Sequence, residues 1–222
     1  MPDLSFRMMG VEAAERGLTP LLNFQFEVTN TPIEEHVQGA LVQTQIQIQC
    51  PQRTYREDEK EKLVELFGAP ERWGQTLRNR LWTHATMPLR PFRDRTIAIL
   101  PVPCSFDLNL SATKYLYALE EGDAPLLFLF SGTVFYSTGS GRLQAQQISW
   151  EKECSWRMPV QIWRELMEHH WPNTAWLTLR RDVFERIYEF RRQKGFSSWE
   201  QTLERLLADA VRPGEAVLDS QS

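Results

Sequence analysis

The sequence predicts an α+β fold, built on an antiparallel β-sheet with a helical insertion and a C-terminal helical layer. Three observations carry that expectation. Apolar and polar residues alternate along the first part of the chain, a charged segment with helical spacing begins at Arg56, and apolar residues return at helical intervals after Trp150. Period two marks a half-buried strand and period 3.6 an amphipathic helix. Strands followed by helices give an α+β chain rather than an alternating α/β one.

Leu4 to Val11 reads as a first strand, with Gly17 and Pro20 punctuating the loop after it. Leu22-Asn23-Phe24-Gln25-Phe26-Glu27-Val28 alternates strictly and reads as a second strand, and Thr29 to Pro32 as a turn. Val42 to Cys50 alternates again, with Val42, Thr44, Ile46, Ile48 and Cys50 on one face and Gln43, Gln45, Gln47 and Gln49 on the other. One face on a core and one on water or a polar partner implies antiparallel pairing.

Glu57 to Phe67 reads as a helix ended by Gly68, and Glu71 to Thr86 as a second, with Trp73, Leu77, Leu81 and Trp82 at helical spacing and Pro88 and Pro91 as breakers. Residues 56–95 form the expected helical insertion. Strand character resumes at Thr96 to Cys104, and Ser111 to Glu120 fits a helix before Gly122. Pro125 to Phe130 is apolar without alternation and continues through Ser131 to Tyr136 as a buried central strand. Ser137 to Gly141 is a hairpin turn to a partner strand, Leu143 to Trp150. The remainder reads as helical: Val160 to His170 behind Pro159, Arg181 to Lys194 ended by Gly195, and a helix with a capping-box start at Ser198-Trp199-Glu200-Gln201. One domain over 1–212 and a disordered tail over 213–222 are expected.

The chain of 222 residues is 42% hydrophobic and 24% charged, ordinary for a globular protein. A net charge of −4 argues against binding nucleic acid by general phosphate attraction. No apolar run approaches the roughly 18 residues of a membrane helix. The opening Met1-Pro2-Asp3-Leu4-Ser5-Phe6 lacks a signal-peptide pattern. Cys50, Cys104 and Cys154 are widely spaced and odd in number, which implies reduced thiols and a cytoplasmic location.

No motif for catalysis or metal binding stands out, and no cofactor is expected. Gly139-Ser140-Gly141 lacks the frame of a nucleophile elbow or a P-loop and reads as a turn. His169 and His170 are adjacent on a helix, so they diverge by about 100° and are poor joint metal ligands. Cys104 falls on the core face of its strand, and Cys154 lies beside Lys152 and Arg157. Arg90, Arg93 and Arg95 make a basic loop able to meet an anion or a partner. Eight tryptophans are present, seven of them between Trp82 and Trp199. Two readings stand: a heavily aromatic core, or an apolar groove for a partner in which Trp163, Trp171 and Trp176 take part.

Several segments together resemble an uncharacterised bacterial domain-of-unknown-function family: Leu66-Phe67-Gly68 with Glu71-Arg72-Trp73-Gly74, Leu81-Trp82-Thr83-His84, Pro101-Val102-Pro103-Cys104, Lys114-Tyr115-Leu116, Phe130-Ser131-Gly132-Thr133-Val134-Phe135, and Pro159-Val160 with Trp163-Arg164-Glu165-Leu166-Met167. The resemblance spans nearly the whole chain. It brings no assigned activity and implies an accessory or maturation role beside nickel–iron uptake hydrogenases. The order of features also resembles the SecB export chaperone, in which a four-stranded antiparallel sheet is followed by a helix, a proline-containing linker and a long C-terminal helix. That likeness would gather Leu4–Val11, Leu21–Val28, Val37–Cys50 and Leu126–Tyr136 into one sheet. The insertion from Arg56 to Glu121, the strand Leu143–Ile148 and the helix Ser198–Val211 depart from it.

The leading functional expectation is a non-enzymatic, protein-binding accessory or chaperone-like protein, compatible with a homo-oligomer and with neither nucleic acid nor membrane as partner. A structural subunit of a complex is the alternative. So is an enzyme whose site is assembled from single residues such as Cys154, His84, Lys114 and the arginine loop.

Overall fold

In the computed structural model the chain has an α+β fold of antiparallel sheets and helices. It describes residues 1–14, 17–105, 110–138 and 141–211. Gly139 and Ser140 of the expected turn, and the expected tail from Pro213, lie outside the described residues. The chain divides into two compact units, Met1–Thr174 and Ala175–Ser222, each treated below by itself.

Among its described residues the first unit holds eight strands, in two sheets rather than one. β1 (Asp3–Ala13), β2 (Leu21–Thr31) and β5 (Arg95–Pro103) form a three-stranded sheet in the order β1-β2-β5. β4 (Arg80–Leu89), β3 (His36–Ile48), β6 (Asp123–Ser137) and β7 (Leu143–Gln147) form the second, and β8 (Glu153–Pro159) also pairs with β6. The four segments that the SecB likeness would gather into one sheet are therefore split between two.

Alternation explains the packing. Leu22, Phe24, Phe26 and Val28 of β2 are fully buried, as are Val42, Ile46 and Ile48 of β3. Phe24 meets Phe128 of β6 at 5.3 Å between ring centroids, Phe26 meets Phe130 at 5.4 Å, and both pairs are edge-on. Trp82 of β4 and Trp156 of β8 also approach Phe24 edge-on, and Phe6 stacks on Phe130 at 4.0 Å. Offset and edge-on aromatic pairs of this kind add about 0.5–1.5 kcal/mol each beyond their burial.

Four of the described helices gather at one end of the second sheet, because the chain leaves or enters its strands there. α1 (Glu57–Phe67) and the single turn α2 (Trp73–Thr76) link the end of β3 to the start of β4. α3 (Leu110–Ala118) leads into β6, and α4 (Val160–His170) leaves β8. Ile48 of β3 faces both Leu126 of β6 and Arg80 of β4, and Asp123 of β6 faces Pro159 of β8, so these strand ends coincide. The cap has its own aromatic core, where Trp73 packs on Tyr55 and Phe67, and Tyr115 of α3 packs on both of those.

Two expected helical stretches are strands. Glu71 to Thr86 is helical only over Trp73–Thr76, and β4 then takes over. The pairing of β3 with β4 slips between Ile46 and Gln47, whose partners are Thr83 and Leu81, so Trp82 is an inserted residue. That bulge breaks the phase of the alternation, and the remaining spacing imitates a helix. The expected insertion over 56–95 thus contains a member of the second sheet. After Trp150, β8 precedes the first helix, with Cys154, Trp156 and Met158 turned inward and Glu153, Ser155 and Arg157 exposed.

The second unit contains α5 (Arg181–Lys194) and α6 (Trp199–Val211). Gly195, at φ +69°, ends α5 as the sequence predicts. Ser198 accepts the Gln201 N–H at 3.2 Å, while the Gln201 side chain reaches back to the Ser197 N–H rather than to Ser198 itself.

Candidate functional site

Within the first unit the residues singled out by sequence occupy separate places. Trp163 of α4 is 1% exposed, its ring edge-on to Tyr117 at 4.9 Å, inside the first unit's core. Trp171 and Trp176 are half-buried, the first beyond α4 and the second in the other unit. Arg90, Arg93 and Arg95 are exposed around the β4–β5 turn, where Arg95 faces Asp94 at 3.5 Å. The turn is held from beneath by Asn30, whose amide donates to the carbonyls of Pro32, Glu35 and Arg93.

The residues named for an assembled catalytic site do not converge. His84 is exposed on β4, Lys114 of α3 pairs with Glu65 of α1, and Cys154 is half-buried on β8. Among the described residues no cluster of three or more His, Cys, Asp or Glu could hold a metal ion. A cleft of about 250 Å³ on α3 and α4 is lined by Tyr117, Gln161, Arg164, Glu165, Met167 and Glu168. Its Arg164 is engaged by the Leu119 carbonyl at 2.6 Å and by Glu120 at 3.7 Å.

The cap buries polar groups that the sequence did not single out. Glu59 of α1 is fully buried. It accepts from the Arg53 guanidinium at 2.6 Å, the Arg56 N–H at 3.1 Å and the Glu120 N–H at 3.2 Å. Arg53 also donates to the Glu121 and Asp123 carbonyls. The pair therefore ties the approach to α1 to the loop between α3 and β6. Beside it the Tyr55 hydroxyl donates to the Cys50 carbonyl at 2.7 Å and meets the Tyr115 hydroxyl at 2.8 Å.

Burial pushes the Cys50 thiol from 9.0 up to about 12, with Arg80 pulling the other way, and burial pushes Cys104 to about 12 as well. Burial also raises Cys154, Tyr55 and Tyr115. None of the thiols is activated by its surroundings. Folded values raised above unfolded ones contribute stability that is complete below pH 9.0 and lost as pH climbs toward about 12. Urea midpoints should therefore hold steady from about pH 7 to 9 and fall above it. Cys50 and Cys104 should stay unreactive to a thiol reagent until the protein unfolds.

One open surface carries backbone and side-chain chemistry together. β7 is a terminal strand of the second sheet, paired with β6 on one side. The Ile148 N–H donates to the Gly132 carbonyl at 2.9 Å, and the Thr138 N–H to the Arg142 carbonyl at 3.1 Å. These two bonds fix the phase of the ladder, so the pairs Val134–Gln146 and Tyr136–Gln144 exchange backbone bonds. Leu143, Ala145 and Gln147 then direct their N–H and C=O groups away from β6. On the outer face beside them lie Phe135, opposite Ala145, and Leu41 on β3, diagonal to Phe135. Leu143, Phe135 and Leu41 are all exposed. Trp150, just past β7, is 89% exposed and is the most open tryptophan of the described residues.

A family model described as a family of unknown function, DUF6084, matches residues 1–215. The chain belongs to this family. No curated protein matches it. Among solved structures, a Bordetella pertussis protein provisionally named ApaA is similar at 11% identity and a TM-score of 0.27, over 71% of this chain and 95% of that one. A β-glucosidase from Kluyveromyces marxianus is similar at 10% identity and a TM-score of 0.24, over 71% of this chain and 15% of the enzyme. A provisionally named late embryogenesis abundant protein is similar at 10% identity and a TM-score of 0.28, over 72% of each chain. The DUF6084 chain has, among its described residues, no helix long and apolar enough to cross a membrane.

Proposed function

We propose that this DUF6084 chain is a protein-binding accessory module, and that the edge of β7 accepts an extended segment of its partner as an added strand. The observation that carries the reading is the outward-directed backbone of Leu143, Ala145 and Gln147 beside exposed apolar side chains. An edge strand is a template for pairing. Strand addition draws affinity from main-chain bonds and specificity from alternate side chains. The partner segment is therefore an extended stretch with apolar residues at every second position, set beside Leu143, with Phe135 one strand further in. Trp150 supplies an aromatic anchor at the end of the strand. The nickel–iron hydrogenase implied by the family resemblance is the first client to test, and a chaperone-like role would use the same edge on incompletely folded segments.

The test is a proline on the edge. Ala145→Pro deletes an outward N–H and spares the β6–β7 ladder, which uses Gln144 and Gln146. The probes are a labelled peptide of alternating valine and threonine and peptides tiled across a hydrogenase sequence. By fluorescence polarisation the native chain should bind a subset of them. Ala145→Pro should weaken that binding at least about tenfold and Trp150→Ala about three- to tenfold. Unchanged binding by Ala145→Pro, or no binding of any peptide by the native chain, overturns the reading.

A further inference from the structure

We propose that the hairpin of α5 and α6 joins the same hairpin of a second copy of this chain in a two-fold four-helix bundle. Within the hairpin, Trp199 of α6 packs on Phe184 and Tyr188 of α5 at 5.3 and 6.2 Å, and Arg191 lies over the Trp199 ring at 4.8 Å. That contact leaves the apolar surface unfinished. α5 has no buried residue, and the one fully buried side chain described on α6 is Thr202. Phe184 and Tyr188 are 44% and 51% exposed, and Leu203 and Leu207 are 37% and 67% exposed. Each pair is four residues apart, so each makes one stripe along its helix. The short connection from Lys194 to Trp199, with Trp199 back on Phe184 and Tyr188, folds α6 back along α5, and in such an antiparallel hairpin the two stripes fall on the same side.

Charge decides the occupant. α5 carries Arg181, Arg186, Arg191, Arg192 and Lys194 against Asp182, Glu185 and Glu189, a net charge of +2. α6 carries Glu200, Glu204 and Asp209 against Arg205, a net charge of −2. Arg181 and Arg192, which pair within α5 with the exposed Glu185 and Glu189, flank the Tyr188 stripe, and Glu200 and Glu204 flank Leu207. A two-fold axis parallel to the helices sets α5 of one copy antiparallel to α6 of the other. Apolar stripe then meets apolar stripe, and Arg192 comes beside Glu200 of the second copy, because both lie near the connecting turn. The same surface complements itself, as an isologous interface requires. Two positive or two negative helices would not.

Sedimentation of the full chain tests this independently of the β7 edge. The native protein should sediment at twice its 26.0 kDa chain mass. Leu207→Glu, at an exposed position, should give monomer with unchanged circular dichroism. Arg192→Glu and Glu200→Arg should each raise the dimer dissociation constant at least tenfold, about 1.4 kcal/mol, and the two together should restore it. Ala145→Pro should leave the dimer intact. A native monomer at about 100 µM overturns the proposal, because the face is then covered within one chain or kept for a different partner. A dimer indifferent to Leu207→Glu and to the charge exchange overturns it as well.

Discussion

Glu59→Ala should cost the first unit about 3–5 kcal/mol, the range for breaking a buried ion pair from one side. In a unit of this size that is a fall of roughly 6–20 °C in melting temperature. The side chains of Glu59 and Arg53 are 0% and 9% exposed. Removing the carboxylate strands the Arg53 guanidinium in the cap and orphans the N–H groups of Arg56 and Glu120. The loss is therefore a penalty of unpaired buried groups rather than the strength of one ion pair. A double variant separates the two. Arg53→Met with Glu59→Leu removes both charges and should recover much of the loss, since replacing a buried pair by apolar side chains is often neutral. Arg205→Ala, which breaks the exposed Arg205–Asp209 pair of α6, should leave the melting curve unchanged. Thermal melts followed by tryptophan fluorescence check all three, and a Glu59→Ala protein that melts like the native one would dismiss the clamp.

What the sequence displayed, and what it hid, follows from the range of the interactions. The strands over Leu22–Val28 and Val42–Cys50 were legible because each buries one face, and that alternation is written locally. Gly68 and Gly195 stop their helices at φ +75° and +69°, a conformation that glycine adopts without strain, so those ends were legible too. β4 was masked by the Trp82 bulge. β8 alternates cleanly over only seven residues and was swallowed by the helical run after it. The division into two sheets is not a local property: β2 takes β5 as its second partner across the whole of β3, α1, α2 and β4. No change in composition marks Thr174–Ala175, where the compact units divide.

The candidate site was hidden for the same reason. Leu143 to Trp150 reads as a strand partner, but only topology shows that its far side is open. The tryptophans illustrate the limit of composition. Trp163 and Trp150 look alike in sequence, yet one is 1% exposed and the other 89%. The Glu59 clamp carried a local signal, a glutamate in the first turn of a predicted helix, but its partners at Arg53 and Glu120 are fixed only by the fold.

Gly132→Ala should be at least as damaging as the loss of Glu59, at more than about 4 kcal/mol, the range reached when backbone geometry or packing fails outright. Gly132 lies opposite Val42 in the middle of the β3–β6 pairing. Its φ is +132°, and an added Cβ would sit 2.0 Å from the Leu41 carbonyl oxygen. No side-chain rotation relieves that overlap, because both groups are backbone, so β3 and β6 would have to part. The position matters for binding as well as stability. β6 pairs with β8 up to Leu129 and with β7 from Thr133, and the Gly132 carbonyl receives the first bond of the new partner, from Ile148. A glycine here lets one strand serve two partners in succession while staying close to β3, and that exchange is what leaves β7 at an open edge. Gly141→Ala is the control: φ is +76° but nothing lies within 4 Å of the added Cβ, so the cost should be limited to about 1–2 kcal/mol of backbone strain. Gly132→Ala should lose peptide binding in step with its folded fraction in urea. A stable Gly132→Ala protein with native binding would show that β3 and β6 can separate without consequence, and would remove the structural reason for the β7 edge.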